Sequence, residues 1–329
     1  MAALPPAVAA LRTAVRRQLT AQLGPGRAPV LVACSGGADS LALAATAGFV
    51  APRLGRRPGL VTVDHGLQPG SAERAREVAR WARGAGLEPV EVARVAVPER
   101  GAGGPEAAAR QARYAALVSV AGRLGAAAVL LGHTRDDQAE TVLLALARGA
   151  GPRGLAGMPA RRVVDGVLLL RPLLGVDRAQ TRQACVDLGL RPWADPHNAD
   201  PAYARARVRA TALPALVAAL GPDVVANLAR TAELVAADTA ALDAQAAEAL
   251  AGAVLADGLA VAAVRELPPA VRGRVLHRWA RDLGAPGAAL GHRHVAALEA
   301  LVCRWRGQGP VHLPGGIAVA RVGNRLAAR

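Results

Sequence analysis

Short β-type apolar runs alternate with helical stretches over the first 200 residues, and this alternation limits the folds open to the chain. The apolar runs lie at residues 29–33, 60–63, 89–92, 127–131 and 167–170. Helical stretches lie between them at residues 40–49, 71–84, 106–124 and 136–147. This pattern predicts βαβ units, and hence an α/β fold with a doubly wound, mostly parallel sheet. Because ligands of such sheets bind beyond the carboxyl ends of the strands, the loops that follow the strands should hold the site.

The composition changes after about residue 210. Residues 211–262 are rich in Ala, Leu and Val and predict helices throughout, whereas Arg and His are concentrated at residues 265–306. A short-strand pattern at 310–321 closes the chain. We therefore expect an α/β domain at residues 1–210 and a smaller, mainly helical domain at residues 211–329.

The charge is carried by a single kind of basic residue. The chain has 40 basic and 25 acidic side chains, a net charge of +15, and every basic residue is arginine. The absence of lysine excludes a Walker A phosphate loop and a lysine Schiff base. A compositional bias toward Ala, Gly, Arg and Pro accounts for much of the arginine, but a positive field of this size also favours a polyanionic partner.

The spacing of the cysteines and the hydropathy of the chain indicate the cellular compartment. Cys34, Cys185 and Cys303 are far apart in sequence and form no CxxC pair, which argues against a disulfide framework, a zinc ribbon or an iron–sulfur site. Arginines interrupt the N-terminal segment before any long apolar run, and no stretch reaches the length of a membrane span. We expect a soluble cytoplasmic protein with no membrane partner.

A glycine-rich segment directly follows the first predicted strand and opens a helix. It consists of Ser35, Gly36, Gly37, Ala38, Asp39 and Ser40. Glycines allow the backbone to approach an anion closely, and the N–H groups of the helix start point toward it. The serine hydroxyls can donate to phosphate, and the carboxylate can hold magnesium or orient the loop. An ordinary glycine turn with a Ser/Asp cap is the alternative, but the strand–turn–helix context favours a phosphate site.

Two further segments follow strands and belong to the same rim of the sheet. One of them, residues 63–71, contains Asp64, and a simple turn would also explain it. The other, residues 132–141, contains His133, Asp137 and Glu140. His133 can donate to a phosphate oxygen, while the two carboxylates lie three residues apart on one helical face. An acidic cluster of this kind can bind magnesium or an ammonium group, and it can equally be a helix cap.

Together these segments resemble a known enzyme family. The Ser-Gly-Gly-x-Asp-Ser loop resembles that of the N-type ATP pyrophosphatases, the PP-loop superfamily. The string Gly-His-Thr-x-Asp-Asp-Gln-x-Glu-Thr at 132–141, with similar segments at 109–114, 146–158, 171–174 and 195–209, resembles the tRNA(Ile)-lysidine synthases more closely. The resemblance implies ATP-dependent ligation of lysine to the wobble cytidine of a CAU-anticodon isoleucine tRNA. It proceeds through an adenylated cytidine and releases pyrophosphate and AMP.

The resemblance also implies roles for individual residues. Ser35 to Ser40 and Asp64 would bind ATP, with Asp39 as a possible Mg²⁺ ligand, and Arg113 and His133 would stabilise charge on the α-phosphate. Asp137 and Glu140 would hold the lysine amines. The arginines expected to meet tRNA are Arg148, Arg205, Arg207 and Arg209, although a solvated helix face explains the last three equally well. Residues 265–306 would form a second tRNA contact. Family members are often dimers, which leaves a homodimer open.

The chain departs from the family pattern at two positions, and other functions compete with this one. Gln68 replaces a frequent arginine, which puts one phosphate contact in doubt, and Ala206 stands where asparagine is usual. One alternative is a tRNA 2-thiolation enzyme of the same superfamily, against which the scattered cysteines speak. Another is a small-molecule amide ligase, which would share the glycine-rich loop but not the string at 132–141. A non-catalytic nucleotide- or RNA-binding module is the third.

Overall fold

In a computed structural model the chain divides into two compact units, Met1–Glu233 and Leu234–Arg329. The structure describes residues 3–66, 70–96, 104–195, 200–287 and 289–328, without the side chains of 104–107. The composition places a boundary near residue 210, whereas the division by contacts falls at 233/234, inside one long helix. The composition therefore changes earlier in the chain than the division between the two packed units.

Six strands of the described chain form the sheet of the first unit, in the order β3-β2-β1-β4-β6-β5. Their bounds are β1 Val30–Ala33, β2 Pro58–Asp64, β3 Val90–Arg94, β4 Ala128–Leu131, β5 Arg161–Val164 and β6 Val167–Leu170. Strands β1, β2, β3, β4 and β6 pair in parallel, and β5 pairs antiparallel with β6. The predicted α/β class with a mostly parallel sheet is thus confirmed, and β5 is an additional edge strand.

Helices cover both faces of this sheet. Their bounds are α1 Pro6–Gln22, α2 Ala38–Arg53, α3 Ser71–Gly84, α4 Gly104–Arg123, α5 Arg135–Ala147, α6 Pro152–Leu155 and α7 Arg178–Asp187. Alternate residues of β1 explain the two layers, since successive strand side chains point to opposite faces. Val30 and Val32 pack in one core with α1, α2 and α7, whereas Leu31 packs in the other with α4.

The strand order identifies where a ligand fits this sheet. The chain passes from β1 outward to β2 and β3, then returns to place β4 on the other side of β1. Ligands of doubly wound sheets bind at such a reversal, beyond the carboxyl ends of the strands. The loops after β1 and β4 therefore border the expected site, and they carry the glycine-rich segment and the string at 132–141.

Short helical elements continue the first unit. Helix α8 spans Ala204–Arg207, a π-helical turn spans Val208–Ala212, and α9 spans Leu213–Leu220. Helix α10, Val224–Ala253, then runs across the division between the units. Among the described helices no single one is long and apolar enough to cross a membrane, and one bent pair, 204–220 with 224–253, satisfies that test only jointly.

The second unit combines helices with a small antiparallel sheet. Its further elements are β7 Val254–Leu255, β8 Gly258–Ala260, α11 Val261–Arg265, α12 Pro269–Asp282, α13 His292–Cys303, β9 Val311–Leu313, β10 Ile317–Val322 and β11 Arg325–Ala328. The sheet order is β7-β8-β11-β10-β9. The expectation of helix throughout 211–262 is wrong at 254–260, because β8 pairs with β11, which follows 65 residues later in the chain. Trp279, Leu298 and Val319 lie in the core of this unit.

Candidate active site

The glycine-rich loop joins β1 to the N-terminus of α2. Gly36 has φ +86°, and a Cβ there would lie 2.9 Å from Val78 Cγ2, so both backbone conformation and space favour glycine. The Ser40 hydroxyl donates to the Gly37 carbonyl at 3.0 Å and accepts from the Ser35 amide at 3.2 Å. These bonds fix the loop from within. Helix α2 has no side-chain cap, so the amides of its first turn suit an anion.

A second glycine brings the loop after β4 against this one. A Cβ on Gly132 would lie 3.0 Å from Ser40 Cα and 3.1 Å from Ser40 N. A side chain at this position would therefore push the two backbones apart by a few tenths of an ångström. The contact places His133 and the start of α5 beside the glycine-rich loop, as the strand order predicts.

Asp137 and Glu140 project from the first turns of α5. Asp137 Oδ2 accepts hydrogen bonds from the Thr134 amide at 2.8 Å and the Thr134 hydroxyl at 3.0 Å, which closes a capping box. Burial opposes ionisation of this carboxyl, but Arg178 and the Thr134 amide lower its pKa. The Glu140 side chain is 0% exposed. Asp137 thus serves as a helix cap and as part of an acidic pair at once.

Three arginines of the same unit lie on this acidic pair. Arg178 Nη2 donates to Asp137 Oδ1 at 3.0 Å and to Glu140 Oε1 at 3.2 Å. Arg209 Nε donates to Glu140 Oε1 at 2.7 Å, and its Nη2 donates to Glu140 Oε2 at 3.0 Å. Arg205 Nε lies 3.7 Å from Glu140 Oε2. A buried carboxylate is stable only when it is paired in this way.

Asp39 joins the same cluster from the glycine-rich loop. The Thr181 hydroxyl donates to Asp39 Oδ1, and Arg178 Nε lies 3.8 Å from Asp39 Oδ2. Burial raises the pKa of Asp39, while Thr181 and Arg178 act in the opposite direction. Helix α7, which carries both partners, is thereby connected to the loop on which the sequence places phosphate binding.

His133 lies in a second chain of contacts. Arg171 is 2% exposed; its Nε donates to His133 Nδ1 at 3.3 Å, and its Nη2 donates to the Tyr114 hydroxyl at 3.2 Å. Because the guanidinium only donates, Nδ1 must accept, and the proton of the imidazole is on Nε2. Burial, followed by the charge of Arg171, lowers the pKa of His133 to about 3. His133 is thus a neutral hydrogen-bond donor at physiological pH.

Arg113 and Asp64 complete the predicted nucleotide side. The Arg113 guanidinium lies 5.8 Å from the centre of the Tyr114 ring, and burial lowers its pKa. Among the described residues no carboxylate forms an ion pair with Arg113, which leaves its charge available to an anion. Asp64 Oδ1 accepts from the Ser71 hydroxyl at 2.7 Å and from the Gly66 amide at 3.1 Å, and the first of these bonds lowers the pKa of Asp64. Gln68 lies outside the described residues.

The structure separates the four arginines predicted to meet tRNA. Arg148 and Arg207 are exposed. Arg207 Nη1 donates to the carbonyls of Pro201 and Ala202 at 2.6 and 2.9 Å. Arg205 and Arg209 turn toward Glu140, so they do not form the solvated helix face that is one alternative for them. Ala206 is buried at 7% exposure, where an asparagine would need polar partners.

Sequence reasoning assigned no role to Arg171, Arg178 or Thr181. Arg171 is part of a segment that carries the family resemblance, but Arg178 and Thr181 have no local signal, since their partners are 38 to 142 residues away. The described residues contain no group of three or more His, Cys, Asp or Glu suited to a metal ion. Cys34, Cys185 and Cys303 are free; burial raises the pKa of the Cys34 thiol and raises that of Cys185 to about 11.

Comparison with known proteins assigns the chain to a family. A model of the PP-loop domain matches residues 11–216, and a model of the TilS substrate binding domain matches residues 259–327. The chain is 72% identical to the tRNA(Ile)-lysidine synthase of Salinispora tropica, with 100% of this chain and 98% of the relative covered. The chain belongs to the tRNA(Ile)-lysidine synthase family.

Other relatives agree with this assignment. The tRNA(Ile)-lysidine synthase of Streptomyces coelicolor is 54% identical, with 98% of each chain covered. Among solved structures, the U34-tRNA thiolase NcsA from Methanococcus maripaludis superposes with a TM-score of 0.58 at 17% identity, covering 70% of this chain and 80% of that one. At that identity the likeness concerns the fold alone. The glycine-rich loop and the α5 carboxylates of this chain both lie within residues 11–216, the part that matches the PP-loop domain.

Proposed function

We propose that this protein is an ATP-dependent ligase that joins lysine to the wobble cytidine of an isoleucine tRNA, the activity that its resemblance to the tRNA(Ile)-lysidine synthases implies. The observation that carries the proposal is the close approach of Gly132 to Ser40, which brings the glycine-rich loop beside the helix that carries the buried acidic pair. An enzyme that brings a nucleotide to a cationic amine needs both. The two family matches, at 11–216 and 259–327, support the same activity.

The chemistry requires activation of a poor leaving group. The carbonyl oxygen of the cytidine attacks the α-phosphate of ATP, the bond to pyrophosphate breaks, and AMP becomes attached to that oxygen. The lysine ε-amine then attacks the adjacent ring carbon, and AMP leaves with the oxygen. Because the nucleophiles come from the substrates, the protein mainly positions groups and stabilises charge.

Residues 35–40 would receive the β- and γ-phosphates, with the loop amides and serine hydroxyls as donors. Arg113 would meet the α-phosphate as a cation that forms no ion pair with a described carboxylate. His133 would support Arg113 as a hydrogen-bond donor to phosphate. With its pKa lowered to about 3, it offers the Nε2–H as a neutral donor. Asp64 would border the nucleotide at the end of β2.

Magnesium fits this site only as an ion shared with phosphate. The described residues form no three-carboxylate cage, but Mg²⁺ is often held by one carboxylate together with substrate phosphates and water. Asp39 is suited to that role, because Arg178 Nε stays 3.8 Å from its Oδ2. When bound, the ion would neutralise charge on the departing pyrophosphate.

Asp137 and Glu140 would bind the amines of lysine. They lie among guanidinium groups, and the pKa of Asp137 is lowered. Their present partners are guanidinium groups, so lysine binding exchanges one cation for another and leaves no buried carboxylate unpaired. The exposed Arg148 and Arg207 would contact tRNA phosphates, and the arginines of residues 265–306 would provide a second contact.

Pyrophosphate release tests the proposed function directly. The purified protein should release pyrophosphate with ATP, lysine and a CAU-anticodon isoleucine tRNA together, and the rate should fall when the tRNA is omitted. Mass spectrometry of the digested tRNA should show one lysine added at the wobble cytidine. An Asp39→Ala variant should lose turnover but retain tRNA binding. Release that ignores both lysine and tRNA would contradict the proposal.

A further inference from the structure

Arg178, the first residue of α7, lies between three carboxylates that come from the first turns of two helices, Asp39 of α2 and Asp137 and Glu140 of α5. Its Nη1 and Nη2 both donate to Glu140 Oε1 at 3.2 Å, and Nη2 also donates to Asp137 Oδ1 at 3.0 Å. Its Nε faces Asp39 Oδ2 at the longer distance of 3.8 Å. Among the ion pairs of the described residues, those of Arg178 alone include all three carboxylates.

The backbone of Arg178 is held by a hydrogen bond, whereas its side chain contacts the three carboxylates unequally. The backbone amide of Arg178 donates to Asp136 Oδ2 at 2.8 Å, and the side chain is 13% exposed. Its hydrogen bonds go to the two carboxylates of α5, and its contact with Asp39 is longer than a hydrogen bond. Because its five donors lie in one plane, a single guanidinium cannot hydrogen-bond the α5 carboxylates and Asp39 equally well at the same time.

We propose that Arg178 is a positioning residue that couples the nucleotide side of the site to its amine side. When a substrate ammonium group binds Asp137 and Glu140, the guanidinium shifts toward the nucleotide phosphates. This inference rests on the function proposed above, in which those two carboxylates receive lysine. It adds that each ligand strengthens the binding of the other.

The coupling follows from competition between two cations, Arg178 and lysine, for the same carboxylates. Lysine brings a cation to Asp137 and Glu140, which then no longer need Arg178 as their partner. The anionic nucleotide in turn attracts the guanidinium away from α5 and exposes the carboxylates to lysine. Because each ligand favours the same position of Arg178, the effect is positive and reciprocal.

Calorimetric titration of lysine, with and without a non-hydrolysable ATP analogue, measures this coupling. The unaltered protein should bind lysine about 5-fold more tightly, or better, when the analogue is present. Arg178→Lys keeps a cation but loses the planar fork, so it should bind lysine alone within about 3-fold of the unaltered protein and lose the tightening. Arg178→Gln should also lose the tightening, which covers the case that one variant folds poorly.

Arg135 provides a matched control. It joins the same two helices through its ion pair with Asp177 at 2.8 Å but touches none of the three carboxylates. Arg135→Lys should therefore retain the tightening of about 5-fold. A purely structural role for Arg178 would make the Arg135 and Arg178 variants behave alike, and this would overturn the inference.

The outcomes for the inference and for the proposed function are distinct. If the unaltered protein releases pyrophosphate in a lysine- and tRNA-dependent manner but binds lysine equally with and without the analogue, the coupling is wrong and the function stands. Retention of the full tightening by Arg178→Lys would contradict it as well. If pyrophosphate release ignores lysine and tRNA, the function fails and the coupling falls with it.

Discussion

At the scale of the residue, the site depends on one missing side chain. Gly132 allows the loop after β4 to lie against Ser40, and a methyl group there would meet backbone atoms at 3.0 to 3.2 Å. Backbone atoms at the start of a helix cannot move aside as the end of a flexible side chain can. The separation of the two loops is therefore sensitive to the smallest possible substitution.

We expect Gly132→Ala to lower the rate of pyrophosphate release by about 10-fold or more, because a shift of the loop by a fraction of an ångström misplaces the reacting groups. Steady-state assays with ATP, lysine and tRNA measure this. Gly122→Ala is the control, since nothing lies within 4 Å of that position in α4. The control should keep full activity and gain about 0.5–1 kcal/mol of stability. Equal activity of both variants would contradict the role of Gly132.

His133 contributes a pH dependence of stability. Its pKa is lowered from 6.5 to about 3 by burial, so the unfolded chain binds a proton that the folded chain does not in the range between these values. The stability that the neutral imidazole provides is complete above pH 6.5 and is lost as the pH falls toward 3.

The free energy of unfolding should therefore rise with pH across this range, and His133→Gln should remove up to about 1.4 kcal/mol per pH unit of that rise. Urea unfolding at several pH values measures the slope. An equivalent substitution at the exposed His292 is the control. An unchanged slope in His133→Gln would show that the imidazole is not held neutral.

At the scale of the element, α5, α7 and the segment around α8 are joined through Glu140. This one carboxylate accepts from Arg178 and Arg209 and lies 3.7 Å from Arg205, so three elements meet on a fully buried group. Removing its charge leaves guanidinium groups without their partner in the interior. Breaking a buried pair in this way is much more costly than losing a surface pair.

Glu140→Gln should lower the free energy of unfolding by about 3–5 kcal/mol, as measured by urea denaturation. Glu73→Gln is the matched control, because Glu73 pairs with Arg76 at 3.0 Å with side chains 67% and 58% exposed. That control should cost no more than about 1 kcal/mol. Similar losses in the two variants would mean that the Glu140 cluster is solvated rather than buried.

The missed elements also have identifiable causes. Strand β5 begins with Arg161 and Arg162, both exposed, and so lacks the apolar run that predicts a buried strand. The Asp165-Gly166 turn between β5 and β6, with φ values of +47° and +79°, was a usable hairpin signal. Strands β7 and β8 are only two and three residues long, too short for any period to be read.

At the scale of the whole molecule, some arginines of the basic region at residues 265–306 are paired with carboxylates, and others are exposed to a partner. Arg272 pairs with Glu299 at 2.8 Å and Arg274 pairs with Asp243 at 2.9 Å, so these two arginines of the basic region serve the second unit itself. Arg278, Arg304 and Arg306 are exposed instead. The arginines that suit a polyanion are thus a subset of those that composition suggests.

Replacing Arg278, Arg304 and Arg306 together by glutamine should weaken tRNA binding by about 10-fold or more and reduce the salt dependence by about 0.7–0.9 in slope per lost phosphate contact. Filter binding at several salt concentrations measures both. Gln substitutions at Arg16, Arg17 and Arg27, exposed residues of the first unit, change the net charge equally and serve as control. If the control weakens binding as much, the overall field acts and no local contact does.

Local sequence patterns were sufficient to predict the α/β fold, the positions of the predicted strands and the loops that border the site. They sufficed because strand alternation, helix starts and glycine turns are local patterns, readable within a few residues. In the structure, the segment Ser35–Ser40 follows β1 and the string from Gly132 follows the neighbouring strand β4.

Which charged groups meet depends on the folding of distant segments onto one another. Arg205 and Arg209 have the spacing of an outward face, yet they turn to a carboxylate 65 and 69 residues earlier in the chain. The neutrality of His133 and the central place of Arg178 depend likewise on burial and on partners distant in sequence. Electrostatic pairing is a property of positions in space, and one-dimensional spacing carries no information about the third element that folds onto a site.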